Sequence, residues 1–308
     1  MRYLLTGTLT SVLLLINTLV GIVPLMVFAL LKLLVPVPAF RDFCFEAVRW
    51  IASTWASINV FIFKACTPTH WDIRGQQQLS RDKSVLVISN HQSWVDIPAL
   101  IAAIHGKAPF FTFFLKRELL YVPFLGLAWW ALEYPFMRRY TKEQLAKNPA
   151  LRGKDLDITR KACDRLQGRP VALVNYLEGT RFTPQKHQRQ NSPYQYLLKP
   201  KSGGVAFTLN AMGKQLDSLL DVTVVYPGKR APSFWELLSG QVGRVIIDIE
   251  QQPLPTRICE GNYQEDRDFR KEFHDWIGGI WKHKDEKIAH FKEELQQLAE
   301  INDSQSKA

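Results

Sequence analysis

The stretch Ser84-Val-Leu-Val-Ile-Ser-Asn-His-Gln-Ser-Trp-Val-Asp96 (SVLVISNHQSWVD, residues 84–96) decides how this chain is read. Ser84–Ser89 is apolar on both faces and rich in β-branched residues, the pattern of a strand buried inside a parallel sheet. Asn90 and His91 end the run, and a helical pattern follows from Trp94. His91 therefore falls at the end of a strand, where layered α/β proteins place ligands and chemistry. Asp96, five residues on, falls in the first turn of the helix, within reach of the imidazole. It has two open readings: a carboxylate that orients His91, or part of a capping box through Ser93-x-x-Asp96. Ser93 is a third option as a nucleophile, but it lacks the G-x-S-x-G context.

Working outward, similar short runs rich in Val, Ile and Phe occur at Trp71–Arg74, Phe110–Phe114, Val171–Tyr176, Val222–Tyr226 and Arg244–Ile249. Helical patterns separate them at Trp94–Ala103, Leu125–Leu132, Leu156–Leu166 and Lys201–Ala211. The alternation predicts an α/β fold with a mostly parallel central sheet flanked by helices. Phe182–Pro193 (FTPQKHQRQNSP) is polar and reads as a surface loop. Asp266–Ile301 is helical in pattern, with charges that read as a solvated face or as a lipid contact through its lysines. The last residues, NDSQSKA, read as a frayed tail. The expected organisation is a membrane anchor over residues 1–66, an α/β domain over 67–260 and a helical segment with a tail over 261–308.

The 308 residues carry 39 Lys+Arg against 29 Asp+Glu, a net charge of +10. A basic chain suits nucleic acid, an anionic membrane or an anionic substrate. No zinc-finger pattern or Arg/Lys-rich block supports nucleic acid, whereas the N-terminus favours a bilayer. Tyr3–Leu31 holds no charged residue and as a helix would extend about 43 Å, beyond the roughly 30 Å hydrocarbon core. A tilt, or a break near Gly21 and Pro24, would absorb the excess. The run is too long for a secretory signal and has no small-residue cleavage site after it. A second stretch, Trp50–Phe63, mixes aromatic and polar residues as an interfacial helix does, or forms a second span if it begins near Phe43. The pair is a membrane-embedded two-helix segment in either case, spanning or monotopic. Cys44, Cys66, Cys163 and Cys259 form no CxxC pair, so free thiols in a reducing compartment are expected and a structural zinc site is not.

Two further strand-end segments accompany His91. The run VALVNY leads into Leu177-Glu178-Gly179-Thr180-Arg181. Gly179 permits an unusual turn or a close backbone approach, and Arg181 offers a planar fork for phosphate or carboxylate. Glu178 can orient that arginine or bond a substrate hydroxyl. The bland alternative is a salt-bridged turn. Earlier, Phe113-Phe-Leu-Lys-Arg-Glu-Leu-Leu-Tyr-Val-Pro-Phe-Leu-Gly126 places Lys116 after a strand, and Met137-Arg138-Arg139 follows. Trp129 and Trp130 read as lining for an apolar path or as ordinary packing.

In order, NHQSWVD, LKRELLYVPFLG, YLEGTRF and VTVVYPG resemble the four motif blocks of the glycerolipid acyltransferases, a family that includes 1-acylglycerol-3-phosphate and lysocardiolipin acyltransferases. The resemblance covers roughly residues 70–230. It implies His91 as general base with Asp96 as its acidic partner. It also implies glycerol- and phosphate-binding roles for Lys116, Arg138 or Arg139, Glu178, Gly179, Thr180 and Arg181, with Val225–Pro227 linked to acyl-donor binding. Leu177 and Phe182 depart from the commonest third block, and EGTRFT followed by Leu-Lys-Pro-Lys201 resembles the lysocardiolipin-acyltransferase branch. The implied reaction moves a fatty acyl group from acyl-CoA or acyl-carrier protein to the free hydroxyl of 1-acylglycerol-3-phosphate. Another lysophospholipid, such as lysophosphatidylglycerol or lysocardiolipin, is the alternative acceptor, and a non-catalytic protein that binds anionic membranes is the rival class. No metal or cofactor is expected. The expected location is the cytoplasmic face of a bacterial inner membrane.

Overall fold

Side chains alternate along a strand, and the run at residues 85–89 uses both of its faces. In β2 (Val85–Ser89), Val85 and Val87 enter one apolar core, while Leu86 and Ile88 enter a second on the other side. A computed structural model describes residues 1–137, 161, 163, 164, 166–228, 230–263 and 265–306; for Lys116, Met137 and residues 299–306 it describes the backbone alone. The predicted helix at Leu156–Leu166 lies mostly outside the described residues, as do Arg138 and Arg139.

The sheet has six strands. They are β1 (His70–Arg74), β2, β3 (Phe111–Phe113), β6 (Ala172–Tyr176), β7 (Ser218–Val225) and β8 (Arg244–Pro253), in the order β1-β8-β7-β2-β6-β3. All pairings are parallel except β7 with β8. A separate two-stranded ladder joins β4 (Leu115–Lys116) to β5 (Phe136–Met137). Because β7, β2 and β6 run the same way, their C-terminal ends share one edge. That edge presents the residues after Val225, Ser89 and Tyr176.

One face of the sheet is covered by α3 (Asp96–Ile104) and by α2 (Pro38–Cys66), whose Ala56 and Phe63 join the core of Val85 and Val87. The other face is covered by α6 (Ser202–Met212) and α9 (Arg267–Ser306), which the short helices α7 (Phe234–Leu238) and α8 (Thr256–Glu260) separate in sequence. The charged reading of α9 conceals an apolar stripe: Phe273, Ile277, Trp281, Ile288, Phe291 and Leu295 recur at helical spacing and are buried. The helix also continues through Ser306, so NDSQS (residues 302–306), expected as part of a frayed tail, is helical. Within the stripe, Lys284 is wholly buried. Its ammonium donates to Val222 O at 2.6 Å and Thr223 Oγ1 at 3.1 Å, and pairs with Asp221 Oδ1 at 2.5 Å. Burial lowers its pKa, and Asp221 opposes that shift.

The expected loop at Phe182–Pro193 is in fact built around a short helix, α5 (Pro184–Gln190). Its end signals outweigh its polarity. Thr183 Oγ1 accepts from Lys186 N, Pro184 supplies a preset φ, and Asn191 closes the helix in the left-handed conformation. The four cysteines are free.

At the N-terminus, α1 (Arg2–Leu34) runs unbroken through Gly21 and Pro24. By length and composition it is the helix among the described residues that is apolar enough to cross a membrane, with a mean hydropathy of 2.5. α2 starts earlier than Trp50 or Phe43 and lies along α1. Asn17 Nδ2 donates to Asn59 Oδ1 at 2.8 Å and to Trp55 O at 3.1 Å, so the helix pair carries a buried polar clasp. Farther along α1, Lys32 Nζ reaches Ala131 O at 2.9 Å and Glu133 Oε1 at 2.8 Å, beside α4 (Leu125–Ala131). Trp130 packs in this same corner with Lys32 over its ring, which makes it packing and not an active-site lining.

The buried Lys284–Asp221 pair predicts an asymmetric response. Removing one partner strands a charge, so Asp221→Leu should cost about 3–5 kcal/mol, whereas Asp221→Leu with Lys284→Met should recover most of that loss. Denaturant unfolding of the three proteins measures it.

Candidate active site

His91 follows β2, and its backbone is held from both sides. His91 N donates to Glu178 Oε1 at 2.7 Å, and Phe182 N donates to His91 O at 2.7 Å. The loop after β6 therefore clamps the loop after β2. Just before it, Asn90 spans to β7, with Asn90 Nδ2 donating to Val224 O and Val224 N donating to Asn90 Oδ1, both at 2.9 Å.

The imidazole meets Asp96, with His91 Nδ1 2.8 Å from Asp96 Oδ2. That same oxygen accepts from Gln92 N at 2.6 Å and Ser93 N at 2.9 Å. The other, Oδ1, accepts from Tyr226 Oη at 2.5 Å. The two readings of Asp96 are therefore compatible, since one carboxylate organises the turn and holds the imidazole. The capping box is only half made, because Ser93 Oγ accepts from Val95 N and donates to Pro232 O. Those bonds also take Ser93 out of consideration as a nucleophile paired with His91. A carboxylate oxygen only accepts, so Nδ1 carries a hydrogen, and in the neutral ring the lone pair is on Nε2. Nε2 has no hydrogen-bond partner among the described residues, and the side chain is 16% exposed. Burial and the negative charge of Asp96 hold the Tyr226 phenol well above its ordinary pKa, so it stays a donor.

Glu178 does not face Arg181 or an open site. It is fully buried, with Oε1 on His91 N and Oε2 accepting from Leu198 N at 3.1 Å. Burial pushes its pKa up to about 8; the two N–H groups oppose this, Asp96 adds to it and Lys284 subtracts. Gly179 has φ +64°, and a Cβ there would lie 3.0 Å from the Lys201 side chain. This position needs glycine for its backbone and for its neighbour.

Thr180 Oγ1 accepts from Lys186 Nζ at 2.7 Å, and the same ammonium reaches Arg181 O at 2.9 Å. Arg181 is exposed and lies over the Trp94 ring at 4.6 Å, with no carboxylate partner among the described residues. Lys116, expected at a strand end on the sheet edge of His91, lies three residues past β3 in the backbone of β4, which belongs to the separate two-stranded ladder. Trp94 also lines an apolar groove of about 650 Å³ between the N-terminal helices and α3, with Leu15, Trp55, Phe63, Ile97 and Phe234.

Sequence reading missed two residues of this cluster. One is Tyr226, whose block had been linked to the acyl donor. The other is Tyr176, whose ring stacks on His91 at 4.1 Å between centroids. Both are last or next residues of strands parallel to β2, and that register is the signal that could have found them.

Comparisons with known proteins bear on the family and the fold. The Acyltransferase family pattern matches residues 70–227, which is more than half of the chain. Human 1-acyl-sn-glycerol-3-phosphate acyltransferase gamma is 28% identical over 180 residues, which cover 55% of this chain and 43% of that protein. Mouse lysocardiolipin acyltransferase 1 is 24% identical over 263 residues, covering 79% and 64%. The chain thus spans less than half the length of the first of these relatives. The crystal structure of the 1-acyl-sn-glycerophosphate (LPA) acyltransferase PlsC from Thermotoga maritima shares the fold, with a TM-score of 0.50 at 17% identity over 92% of this chain and 98% of that one. The extent of the family match, over the segment that carries His91, Asp96, Glu178 and Tyr226, shows that this chain belongs to the Acyltransferase family.

Proposed function

We propose that this chain transfers a fatty acyl group from acyl-CoA or acyl-carrier protein to the free hydroxyl of 1-acylglycerol-3-phosphate, making phosphatidic acid. The observation that carries the reading is an imidazole tied at Nδ1 to a buried carboxylate, with Nε2 unpartnered among the described residues, three residues from a tryptophan that lines an apolar groove. The groove suits an acyl chain. Arg181 suits a phosphate, with Lys116 and Arg138 or Arg139 assigned by family resemblance.

In this reading Nε2 takes the hydroxyl proton as the oxygen attacks the thioester carbonyl. The imidazolium that forms is balanced by Asp96. Collapse of the tetrahedral intermediate expels the thiolate, which takes the proton back from Nε2. An ester has formed, a thioester has broken, and His91 is restored. Protein groups move the proton, and no step is assigned to a metal or cofactor.

The reading extends to location. The apolar side of α1 would lie in a bilayer, and the +10 charge suits an anionic leaflet, as at the cytoplasmic face of a bacterial inner membrane. A second acceptor class is supported by one observation: the lysocardiolipin acyltransferase relative covers 79% of this chain. A lysolipid panel with labelled acyl-CoA and acyl-carrier protein separates the two. A preference above about tenfold, or roughly 1.4 kcal/mol, for an acceptor other than 1-acylglycerol-3-phosphate displaces the first choice.

His91→Ala should lower kcat by at least about 10²-fold, the usual scale of a general base. Full activity in that variant would sink the mechanism. Asp96→Asn should be milder, because Gln92 N and Ser93 N keep an oxygen facing Nδ1; the charge is lost, and the amide nitrogen then faces the Tyr226 hydroxyl, which must turn to accept. Comparing kcat for the two variants checks the order.

Glu178→Gln should lower Tm, since an amide has one acceptor for two N–H groups. The deficit should depend on pH. A carboxyl raised from 4.5 to about 8 binds its proton more tightly when folded, so wild-type stability falls as pH rises through that window. The gap between wild type and variant should therefore narrow from about pH 5 to about pH 8, as measured by Tm at each pH. A constant gap would show that Glu178 titrates normally.

A further inference from the structure

The bond from Nδ1 to Asp96 fixes one corner of the His91 ring but not the plane in which Nε2 points. A second contact sets that plane. The Tyr176 ring lies against the imidazole with centroids 4.1 Å apart and planes 20° apart. Phe113 stacks behind Tyr176 at 6.3 Å and 17°, so three rings run in nearly parallel layers from the edge strand to the catalytic loop. Phe113 in turn contacts Tyr134, whose hydroxyl donates to Phe111 O at 2.9 Å. Strand register accounts for the alignment. Tyr176 ends β6 opposite Ser89, two residues before His91, and Phe113 pairs with Val174.

The Tyr176 hydroxyl has no part in this. Its oxygen is buried without a hydrogen-bond partner among the described residues, and a buried hydroxyl in that condition is destabilising. What the position uses is the ring.

We propose that Tyr176 is a positioning residue, whose ring, backed by Phe113, holds the His91 imidazole in the plane that aims Nε2 at the acceptor hydroxyl. The stack acts a second time during reaction, because the electron-rich face of an aromatic ring favours the imidazolium over the neutral base. This rests on His91 being the base, as proposed above.

The test uses the full-length chain in detergent micelles with labelled acyl-CoA and lysophosphatidate. Tyr176→Leu should lower kcat by about 10–100-fold, the scale of a misaimed reacting group, with the acceptor KM within about twofold. Tyr176→Phe keeps the ring and should restore most of kcat, with a Tm above that of wild type because the stranded hydroxyl is gone. Tyr176→Leu with wild-type kcat overturns the inference. So does a Tyr176→Phe variant as slow as Tyr176→Leu, which would assign the effect to the hydroxyl.

Should Tyr176→Leu fail to fold, wild type alone still decides. With ¹³C-labelled histidine, the His91 ring protons, assigned by their loss in His91→Ala, should resonate upfield through the ring current of Tyr176. Their appearance at the positions of exposed histidines overturns the stack. If His91→Ala is as active as wild type, the proposed function and this inference fall together. If His91→Ala is inactive and Tyr176→Leu is unaffected, this inference alone falls.

Discussion

Four hydrogens converge on the Asp96 carboxylate: the N–H groups of Gln92 and Ser93, the Nδ1 hydrogen of His91 and the Tyr226 hydroxyl. The rest of the site depends on this convergence. It folds the turn between β2 and α3, selects the histidine tautomer and ties both to the end of β7. A buried carboxylate is tolerable only when donors of this number replace water, so the constraint runs both ways. The turn needs the acid, and the acid needs the turn and the tyrosine.

Glu178 presents a second buried carboxyl a short distance away with half the donors. Two N–H groups do not offset full burial, and its pKa rises to about 8. The two acids thus divide the work by environment. Asp96 touches the imidazole, and Glu178 touches only backbone, at His91 and Leu198. Lys284, reaching up from α9 to Asp221 and Thr223, sits under the same edge and moderates the charge there. A helix that looked solvated in sequence therefore contributes to the electrostatics around the loop that carries His91.

Much of this was legible from the chain alone, for a physical reason. Strands buried on both faces are uniformly apolar, which marked β2 and β7; all six strands were found, although the edge strand β1 carries His70, Asp72 and Arg74 and both β7 and β8 prove longer than their apolar cores suggested. His91 and Asp96 were found because both lie in one strand-end turn. The contacts that bind distant segments were not. Tyr226 and Tyr176 reach the pair from strands 130 and 85 residues farther on, and only the register of a folded sheet brings them together. Glu178 was misassigned for the same reason, since nothing local says that its oxygens turn inward to a backbone 87 residues earlier. At α5 the cap residues were present in the sequence, and polarity was allowed to outweigh them.

The N-terminal helix holds the α/β domain at two places. Near its start, Gly7 packs against the Trp235 ring, and near its end Lys32 bonds Ala131 O and Glu133. Between them the helix is continuous. A helix held at both ends is a strut, not a tether, and its phase matters as much as its length. Each residue added between Gly7 and Lys32 would turn one clamp by about 100° against the other and lengthen the strut by about 1.5 Å. Substitutions of one apolar residue for another on its outward side leave that phase unchanged, but insertions and deletions do not, so that side is free to drift among apolar residues while its residue count is held.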